Sequence, residues 1–316
     1  MDYKKVGFSM FGIPSFAKAK HVSVDDDWKA DVAILGIPYD QGVGFRSGTR
    51  HGPKHVRDWS IRYSHLTSPE MPGYWDMRTQ GNRGFCSMVD CGDVDILPLV
   101  WEDNFRRITE SVKAILSRGT MPIILGGDHS VTFPNVRAFG GRGPITVVQF
   151  DAHADYRDEV AGVRYGHGNV LRRVKELPEV EKIVTIGLNG YKQREIDLHA
   201  HKVDGNDIIH AFEIHDHGPR HFLQRLPSGR DVYITFDIDV FDAAVAPGTG
   251  TPEPGGLSFV QVRQFLEHLC THNRIVGMDL VEVNPVYDPS FITAQIAVHV
   301  IIDILGLIFP EKRERN

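Results

Sequence analysis

Two acidic motifs in this chain directly follow runs of β-forming apolar residues. The motif at 151–155 reads DAHAD and follows the run 146–150, and the motif at 237–239 reads DID and follows 232–236. Residues two apart on a strand face the same side, so we expect each motif to direct a pair of polar side chains into one cleft. Carboxylates at the end of a buried strand have little water, and cations must compensate them. The two motifs therefore predict a metal site.

A third motif, GGDHS at 126–130, follows the apolar run 121–125. Each fragment alone is typical of a loop or a capping turn. In a parallel sheet, however, ligands bind beyond the carboxyl ends of the strands, and all three motifs are expected at that edge. The convergence favours a two-ion site with four carboxylates and two imidazoles. The predicted ligands are His129, Asp151, His153, Asp155, Asp237 and Asp239.

The predicted ligand set also bears on which metal binds. A shell rich in carboxylate oxygen favours Mn²⁺, which is our first expectation. The mixed oxygen and nitrogen shell also suits Co²⁺, Ni²⁺ or Zn²⁺, and affinity alone favours nickel or zinc over manganese. Because no cysteine lies among the ligands, a structural zinc site is disfavoured.

The elements that must position these motifs alternate along the chain. Short apolar runs predict strands, and segments with apolar residues at spacings of three and four predict helices between them. This alternation requires right-handed crossovers and predicts an α/β fold of three αβα layers with a largely parallel central sheet. The chain has no evident linker or repeat, which favours a single domain over 1–316. The predicted strands are 31–37, 86–93, 121–125, 145–150, 182–188, 231–236 and 275–281, and the predicted helices are 104–116, 169–176, 258–272 and 291–307.

Composition argues against several kinds of partner. The 316 residues carry a formal net charge of -6 and no long cationic run, so neither nucleic acid nor an anionic membrane is expected to bind. No apolar run reaches the length of a membrane span, and the first residues do not resemble a signal peptide, which predicts a cytoplasmic protein. The three cysteines lack zinc-binding spacing and indicate free buried thiols in a reducing compartment. Four histidines are expected at the surface: His199, His201, His215 and His217.

Together the three motifs resemble the signatures of the ureohydrolases, the family that includes arginase and agmatinase. The likeness covers most of the chain, because GIPYD at 36–40, RSGTRHGP at 46–53, APGTGTP at 246–252 and GMDLVEVNP at 277–285 also resemble family segments. It implies an arginase-like fold that assembles as a homotrimer or homohexamer, with a hetero-oligomer left open. The apolar helix within 292–307 is then expected either in the core or at a subunit interface.

The resemblance also implies a role for each site residue. One ion would bind His129, Asp151, Asp155 and Asp237, and the other would bind Asp151, His153, Asp237 and Asp239. Two cations lower the pKa of a water between them, and that water would attack the guanidinium carbon. Asp155 would accept a hydrogen bond from the water, Glu282 would hold the guanidinium, and His167 would bind substrate and transfer protons. Thr251 is expected to line the substrate pocket.

A small guanidino compound, hydrolysed to urea and an amine, is the substrate that the resemblance implies. Arginases typically continue the 151–155 motif with Ile-Asn-Thr, which recognises the amino-acid head group, whereas YRDE stands at 156–159 and disfavours arginine. The stretch 156–173 is more similar to agmatinases, so agmatine is the leading prediction, with putrescine as its product. YGHGN at 165–169 departs from the agmatinase pattern Ser-His-Ala or Ser-His-Gly and implies a roomier or differently bonded loop.

Other guanidino substrates stay open. Relatives on the same scaffold, some of them nickel-dependent, cleave other guanidino compounds. These are guanidinobutyrate, guanidinopropionate, free guanidine, and N-substituted guanidines or biguanides. Arg157, Arg164 and Arg172 would either favour a carboxylated tail or be ordinary solvated charges on a loop and a helix.

The sequence supports three other classes of function less well. A deacetylase of related fold would hold one metal and usually a pair of adjacent histidines, which this chain lacks. A dinuclear phosphatase would need cationic clamps for phosphate. An inactive or regulatory subunit of a hetero-oligomeric ureohydrolase would be expected to have lost ligands, and all six are present.

Overall fold

The computed structural model describes residues 12–67, 73–84 and 86–310, and its strands occupy eleven segments. They are β1 Lys20–His21, β2 Val32–Gly36, β3 Tyr74–Asp76, β4 Gly81–Arg83, β5 Met88–Asp93, β6 Met121–Leu125, β7 Ile145–Phe150, β8 Val180–Leu188, β9 Asp207–His210, β10 Asp231–Asp237 and β11 Arg274–Val281. Nine of these strands form one parallel sheet in the order β1-β5-β2-β6-β11-β10-β7-β8-β9. The remaining two, β3 and β4, pair as an antiparallel hairpin.

In the part of the chain that the structure describes, eight α-helices cover the two faces of the sheet. They are α1 Gly52–Ser60, α2 Trp101–Ser117, α3 Thr132–Arg137, α4 Val170–Lys175, α5 Glu195–Val203, α6 Ala211–His217, α7 Phe259–His272 and α8 Ile292–Ile308. One apolar cluster joins the sheet to α1, α6, α7 and α8, and the other joins it mainly to α2, α3 and α4. The expected three-layer αβα architecture with a parallel sheet is confirmed.

Side chains of the central strands alternate between these two clusters. On β7, Val148 and Phe150 enter the first cluster, whereas Ile145 and Val147 enter the second. Buried β-branched and aromatic residues on both faces are what a parallel sheet covered by helices requires. The strand pairing also explains where the motifs meet, because β6, β11, β10 and β7 are consecutive in the sheet and their carboxyl ends form one edge.

Several expectations about elements need correction. The predicted strands and helices are present, with ends displaced by up to three residues. The strands β1, β3, β4 and β9 and the helices α1, α3, α5 and α6 were not predicted. Their buried faces are partly polar: α1 buries His55 and Arg57 beside Val56, and α5 buries only Asp197 and His201. Such helices have no clear apolar period for a sequence reading to detect.

One histidine expected at the surface lies in the interior. His201 is fully buried, because α5 turns it toward the sheet, so its surface placement was wrong. His199, His215 and His217 are exposed as expected. The helix α8 packs in the core, where eleven of its residues are buried.

All three cysteines are free, with Cys91 buried and Cys86 and Cys270 half-buried. Within the described ranges, the helices are too short or too polar to cross a membrane.

Candidate metal centre

The six predicted ligands lie together at the carboxyl edge of the sheet. His129 follows β6, the motif at 151–155 follows β7, and Asp237 ends β10 with Asp239 just beyond it. The strand between them, β11, is pinned to the first motif, since the Gly126 amide donates to the Leu280 carbonyl at 2.7 Å. The topology thus brings together residues that lie far apart in the sequence.

The first group of ligand atoms surrounds the His129 imidazole. Its Nδ1 lies 3.1 Å from Asp151 Oδ2, 3.1 Å from Asp155 Oδ2 and 3.3 Å from Asp237 Oδ2. The side chain is fully buried, and Nδ1 makes no hydrogen bond with any of these oxygens. A buried nitrogen without a hydrogen bond, facing three carboxylate oxygens, is a donor set that fits a divalent cation.

The second group surrounds His153. Its Nδ1 lies 3.1 Å from Asp239 Oδ2 and 3.5 Å from Asp151 Oδ1. In each of two trios, His129 with Asp151 and Asp237, and Asp151 with His153 and Asp239, the potential ligand atoms lie within 4.8 Å of one another. Asp151 belongs to both trios, and it contributes a different oxygen to each histidine.

Burial makes this concentration of carboxylates unfavourable without cations. Burial, followed by the charges of Asp239 and Asp151, raises the pKa of Asp237 well above its usual value. Burial, followed by the charges of Asp155 and Asp239, also raises the pKa of Asp151. Burial alone would lower the pKa of His129, but its carboxylate neighbours raise it well above the usual value. The site therefore attracts positive charge, whether from protons or from metal ions.

The other ring nitrogen of each histidine contacts a side chain outside the cluster. His129 Nε2 lies 2.9 Å from Thr235 Oγ1, and His153 Nε2 lies 3.4 Å from Glu253 Oε1. Thr251, expected to line the substrate pocket, donates to Asp239 Oδ2 at 3.1 Å. Such outer partners fix the orientation of metal-ligating side chains in metalloproteins.

Sequence reasoning missed a buried chain of polar residues behind Asp151. Gln149 Nε2 donates to Asp151 Oδ2 at 2.7 Å and to the His153 carbonyl at 3.1 Å. Thr185 donates to Gln149 Oε1 at 2.6 Å, and His201 Nε2 lies 3.4 Å from the same hydroxyl. The available signal was Gln149 itself, a polar residue inside an apolar strand and two positions before Asp151.

Glu282 and His167 adjoin the ligand cluster. Glu282 Oε1 accepts from the His129 amide at 3.0 Å and lies 3.2 Å from His167 Nδ1. Burial would lower the pKa of His167, but the hydrogen bond to Glu282 and nearby carboxylate charges raise it to about 9. All three residues implied in catalysis, Asp155, His167 and Glu282, therefore lie at this edge.

Two of these residues have unusual backbone conformations. Asp155 has a φ of 47° and Glu282 a φ of 64°, in the left-handed region that is costly for residues other than glycine. Hydrogen bonds hold both: Leu171 N donates to the Asp155 carbonyl at 3.1 Å, and Glu282 N donates to the Gly127 carbonyl at 2.9 Å. Strain of this kind is concentrated at functional sites.

The sequence profile of the Arginase family matches residues 30–306. The chain belongs to the arginase family. It is therefore a ureohydrolase, a hydrolase of amidine C–N bonds, and its expected fold and family are confirmed.

Relatives of this ureohydrolase cover nearly its whole length. Guanidinopropionase from Pseudomonas aeruginosa is 35% identical over 94% of this chain and 92% of that enzyme. Agmatinase from Chromobacterium violaceum is 35% identical over 89% of this chain and 85% of that enzyme. Among solved structures, proclavaminate amidinohydrolase from Streptomyces clavuligerus is similar with a TM-score of 0.82 and 28% identity, over 95% of this chain and 98% of that one.

Proposed function

We propose that this ureohydrolase hydrolyses the guanidino group of a small compound, releasing urea and an amine, with two divalent metal ions bound by its acidic cluster. The observation that carries this proposal is the position of Asp151, whose carboxylate belongs to both trios of ligand atoms. His129, Asp151, Asp155 and Asp237 would hold one ion. Asp151, His153, Asp237 and Asp239 would hold the other.

The chemistry that such ions supply is a lowered pKa of coordinated water, which provides a nucleophile near neutral pH. The oxygen-rich donor set favours Mn²⁺, and the two imidazoles also suit Ni²⁺ or Co²⁺. Asp155 is the most accessible of the four aspartates, with 13% of its side chain exposed. Its carboxylate would therefore be open to accept a hydrogen bond from the attacking nucleophile.

Glu282 would bind and orient the guanidinium. A carboxylate matches a guanidinium in charge and in its two-point hydrogen-bonding geometry. Only 3% of the Glu282 side chain is exposed, and its bonds to the His129 amide and His167 fix the carboxylate beside the metal ligands. The reacting carbon would thereby be held next to the metal site.

His167 would deliver the proton that the departing amine requires. The hydrogen bond to Glu282 and nearby carboxylate charges raise the pKa of His167 to about 9, which favours the protonated ring that a donor needs. Its side chain is 27% exposed, so it can exchange protons with solvent while bonded to Glu282. These properties suit a proton donor at the mouth of the site.

Agmatine remains the substrate that the sequence favours. Similarity alone does not discriminate, because enzymes named agmatinase, guanidinopropionase and guanidinobutyrase are 34–35% identical to this chain. The six ligands are intact and converge, an arrangement that an inactive subunit of a hetero-oligomer would not need to keep.

Urea release from a panel of guanidino compounds tests the proposal. The purified protein is stripped with a chelator, reloaded separately with Mn²⁺, Ni²⁺ or Co²⁺, and assayed with agmatine, guanidinobutyrate, guanidinopropionate, guanidine and a biguanide. Urea should appear from at least one compound and only after reloading. Release of no urea with any pairing of metal and compound would reject this function.

A further inference from the structure

Two loops carry positive charge to the region beside the metal ligands. The first follows β8, and its Asn189 and Gly190 amides donate to the Ala152 carbonyl at 3.1 and 2.8 Å. A Cβ atom on Gly190 would lie only 2.7 Å from the His153 ring. Gln193 accepts a long hydrogen bond of 3.4 Å from the Ala154 amide. Lys192 therefore belongs to a loop that packs against the 151–155 motif.

The second loop carries Arg157, two positions after Asp155. The Arg157 amide donates to the Gly168 carbonyl at 3.3 Å, and Asn169 donates to the Arg157 carbonyl at 3.0 Å, so this residue lies against the loop of His167. Its Nη2 donates to the Lys192 carbonyl at 2.7 Å. Arg157 thus links the His167 loop to the Lys192 loop.

The charges of this pair are incompletely neutralised. Within the ranges that the structure describes, Lys192 Nζ has no carboxylate within 4.0 Å, and it lies 5.9 Å from the Phe45 ring centroid. Arg157 Nε lies 3.8 Å from Asp197, a carboxylate already bound by Arg194 Nε and Nη2 at 2.6 and 2.7 Å. One aspartate faces two guanidinium groups, so the charge of Arg157 is only partly neutralised.

The other two arginines considered for a carboxylated tail are paired elsewhere. Arg164 lies 3.0 Å from Asp158, and Arg172 lies 2.8 Å from Asp204. Asp158 lies on the same loop as Arg164, and Asp204 directly follows α5, so both charges are matched by carboxylates. Only Arg157 of the three keeps a weakly matched charge close to the site.

Arg46 is a third cation near the site, on the side of Thr251. A Cβ on Gly250 would lie 3.3 Å from the Arg46 carbonyl, and Gly250 directly precedes Thr251, which bonds to Asp239. The Arg46 guanidinium lies 4.8 Å from the Tyr287 ring centroid, and the ion pairs of the described residues do not include it. The acidic side chain near this region, Glu253, is directed at His153 Nε2.

We infer that Lys192 and Arg157 bind a carboxylate at the far end of the substrate, so that this ureohydrolase acts on an ω-guanidino acid in preference to agmatine. The inference rests on the proposed function, because it assumes that Glu282 holds the guanidinium. A carboxylated tail would meet unmatched cations, whereas the ammonium of agmatine would meet like charges. Opposite charges at the two ends of the substrate would also fix its direction in the site.

A matched pair of substrates tests this inference. Agmatine and 4-guanidinobutyrate each have four carbons beyond the guanidino group. The fourth carbon carries an ammonium in agmatine and is the carboxylate carbon in the acid. The wild-type kcat/KM for the acid should exceed that for agmatine by about tenfold or more, as expected for a charge-assisted contact. Lys192→Gln should reduce this ratio, and Lys192→Glu should reduce it further and favour agmatine.

Lys113→Glu is the control for the change of net charge, because Lys113 is an exposed residue of α2. It should leave the substrate ratio unchanged. Three results would overturn the carboxylate-binding role and leave the proposed function standing. They are a wild-type preference for agmatine, an equal effect of Lys113→Glu and Lys192→Glu on the substrate ratio, and urea release from guanidine or a biguanide alone. Urea release from no guanidino compound would overturn both.

Discussion

At the residue scale, the ionisation of the buried Asp151 and Asp237 opposes folding unless cations lie beside them, because burial and neighbouring carboxylates raise the pKa of both. Asp237 shows this most clearly, since burial and the charges of two neighbouring carboxylates raise its pKa well above the usual value. A raised pKa for a carboxyl means that its ionised form is less stable in the folded than in the unfolded chain.

Replacing this charge should have opposite effects with and without metal. Asp237→Asn should raise the melting temperature of the metal-stripped protein by about 2 °C or more. The amide has a similar shape to the carboxylate but carries no charge that repels Asp151 and Asp239. The stabilisation that Mn²⁺ gives the wild type should be largely lost. Thermal unfolding with a chelator and with Mn²⁺ measures both effects.

Asp216→Asn, an exposed change on α6, should alter neither melting temperature. If Asp237→Asn destabilised the metal-stripped protein and left the Mn²⁺ effect intact, the carboxylate would have a structural role only.

His167 gives a second prediction at this scale. His167→Asn should lower kcat by about a hundredfold or more while KM changes little, because the substituted side chain keeps a polar contact with Glu282 but cannot donate a proton to the amine. Steady-state urea release measures the two constants separately. His199→Asn, at an exposed position of α5, should retain wild-type rates. A rise in KM without loss of kcat would assign His167 to substrate binding alone.

At the scale of elements, α5 and β8 enclose a titratable group that contributes to stability. His201 lies against the Tyr156 ring, with centroids 4.7 Å apart, and burial lowers the pKa of His201 to about 4. Its pKa in the unfolded chain is about 6.5. Above that pH, His201 is neutral in both the folded and the unfolded chain. Below it, His201 is protonated in the unfolded chain first, so the free energy of unfolding falls until the pH reaches about 4.

The expected loss from this histidine is about 2 kcal/mol between pH 7.5 and pH 5. Urea unfolding of the metal-stripped protein at the two pH values should therefore show a smaller loss for His201→Gln than for the wild type. His199→Gln, on the exposed side of the same helix, should behave as the wild type. Equal losses for all three proteins would mean that His201 is not held neutral.

How far the sequence predicts each element depends on how apolar the element is. The strand β7 was predicted at its observed ends, Ile145 and Phe150, because all six residues are buried and the polar motif begins at once. The strand β9 was not predicted, because only Ile209 among its four residues is fully buried. Burial of a polar helix face, as for His201, leaves no periodic signal in the sequence.

The residues of the site also differ in how far the sequence predicts their positions. Strand ends brought His129 and the ligands of 151–155 and 237–239 to one edge, and this convergence was predictable from the parallel topology. The contact of Arg157 with the Lys192 loop was not, because two irregular loops meet there through a bond from the Arg157 side chain to the Lys192 carbonyl. The position of Gln149 inside an apolar strand was visible in the sequence, but its bond with Thr185 on β8 could be predicted only with the order of the strands.

At the scale of the whole molecule, we propose that the chain assembles as a homotrimer or homohexamer, as its family resemblance implies. Native mass spectrometry of the purified protein should give a mass three or six times that of the 35.5 kDa chain. A monomeric mass in the presence of Mn²⁺, with urea release intact, would reject this assembly. Activity that appears only after a different chain is added would indicate the hetero-oligomer.

The dinuclear centre is the central claim, and a metal titration tests it most directly. Metal-stripped protein is titrated with Mn²⁺ while bound metal and urea release are measured on the same samples, with the fastest compound of the panel as substrate. We expect no urea without metal and a rise that reaches its plateau at two bound ions per chain. Full activity with less than one ion per chain, or no urea with two ions bound, would contradict the account.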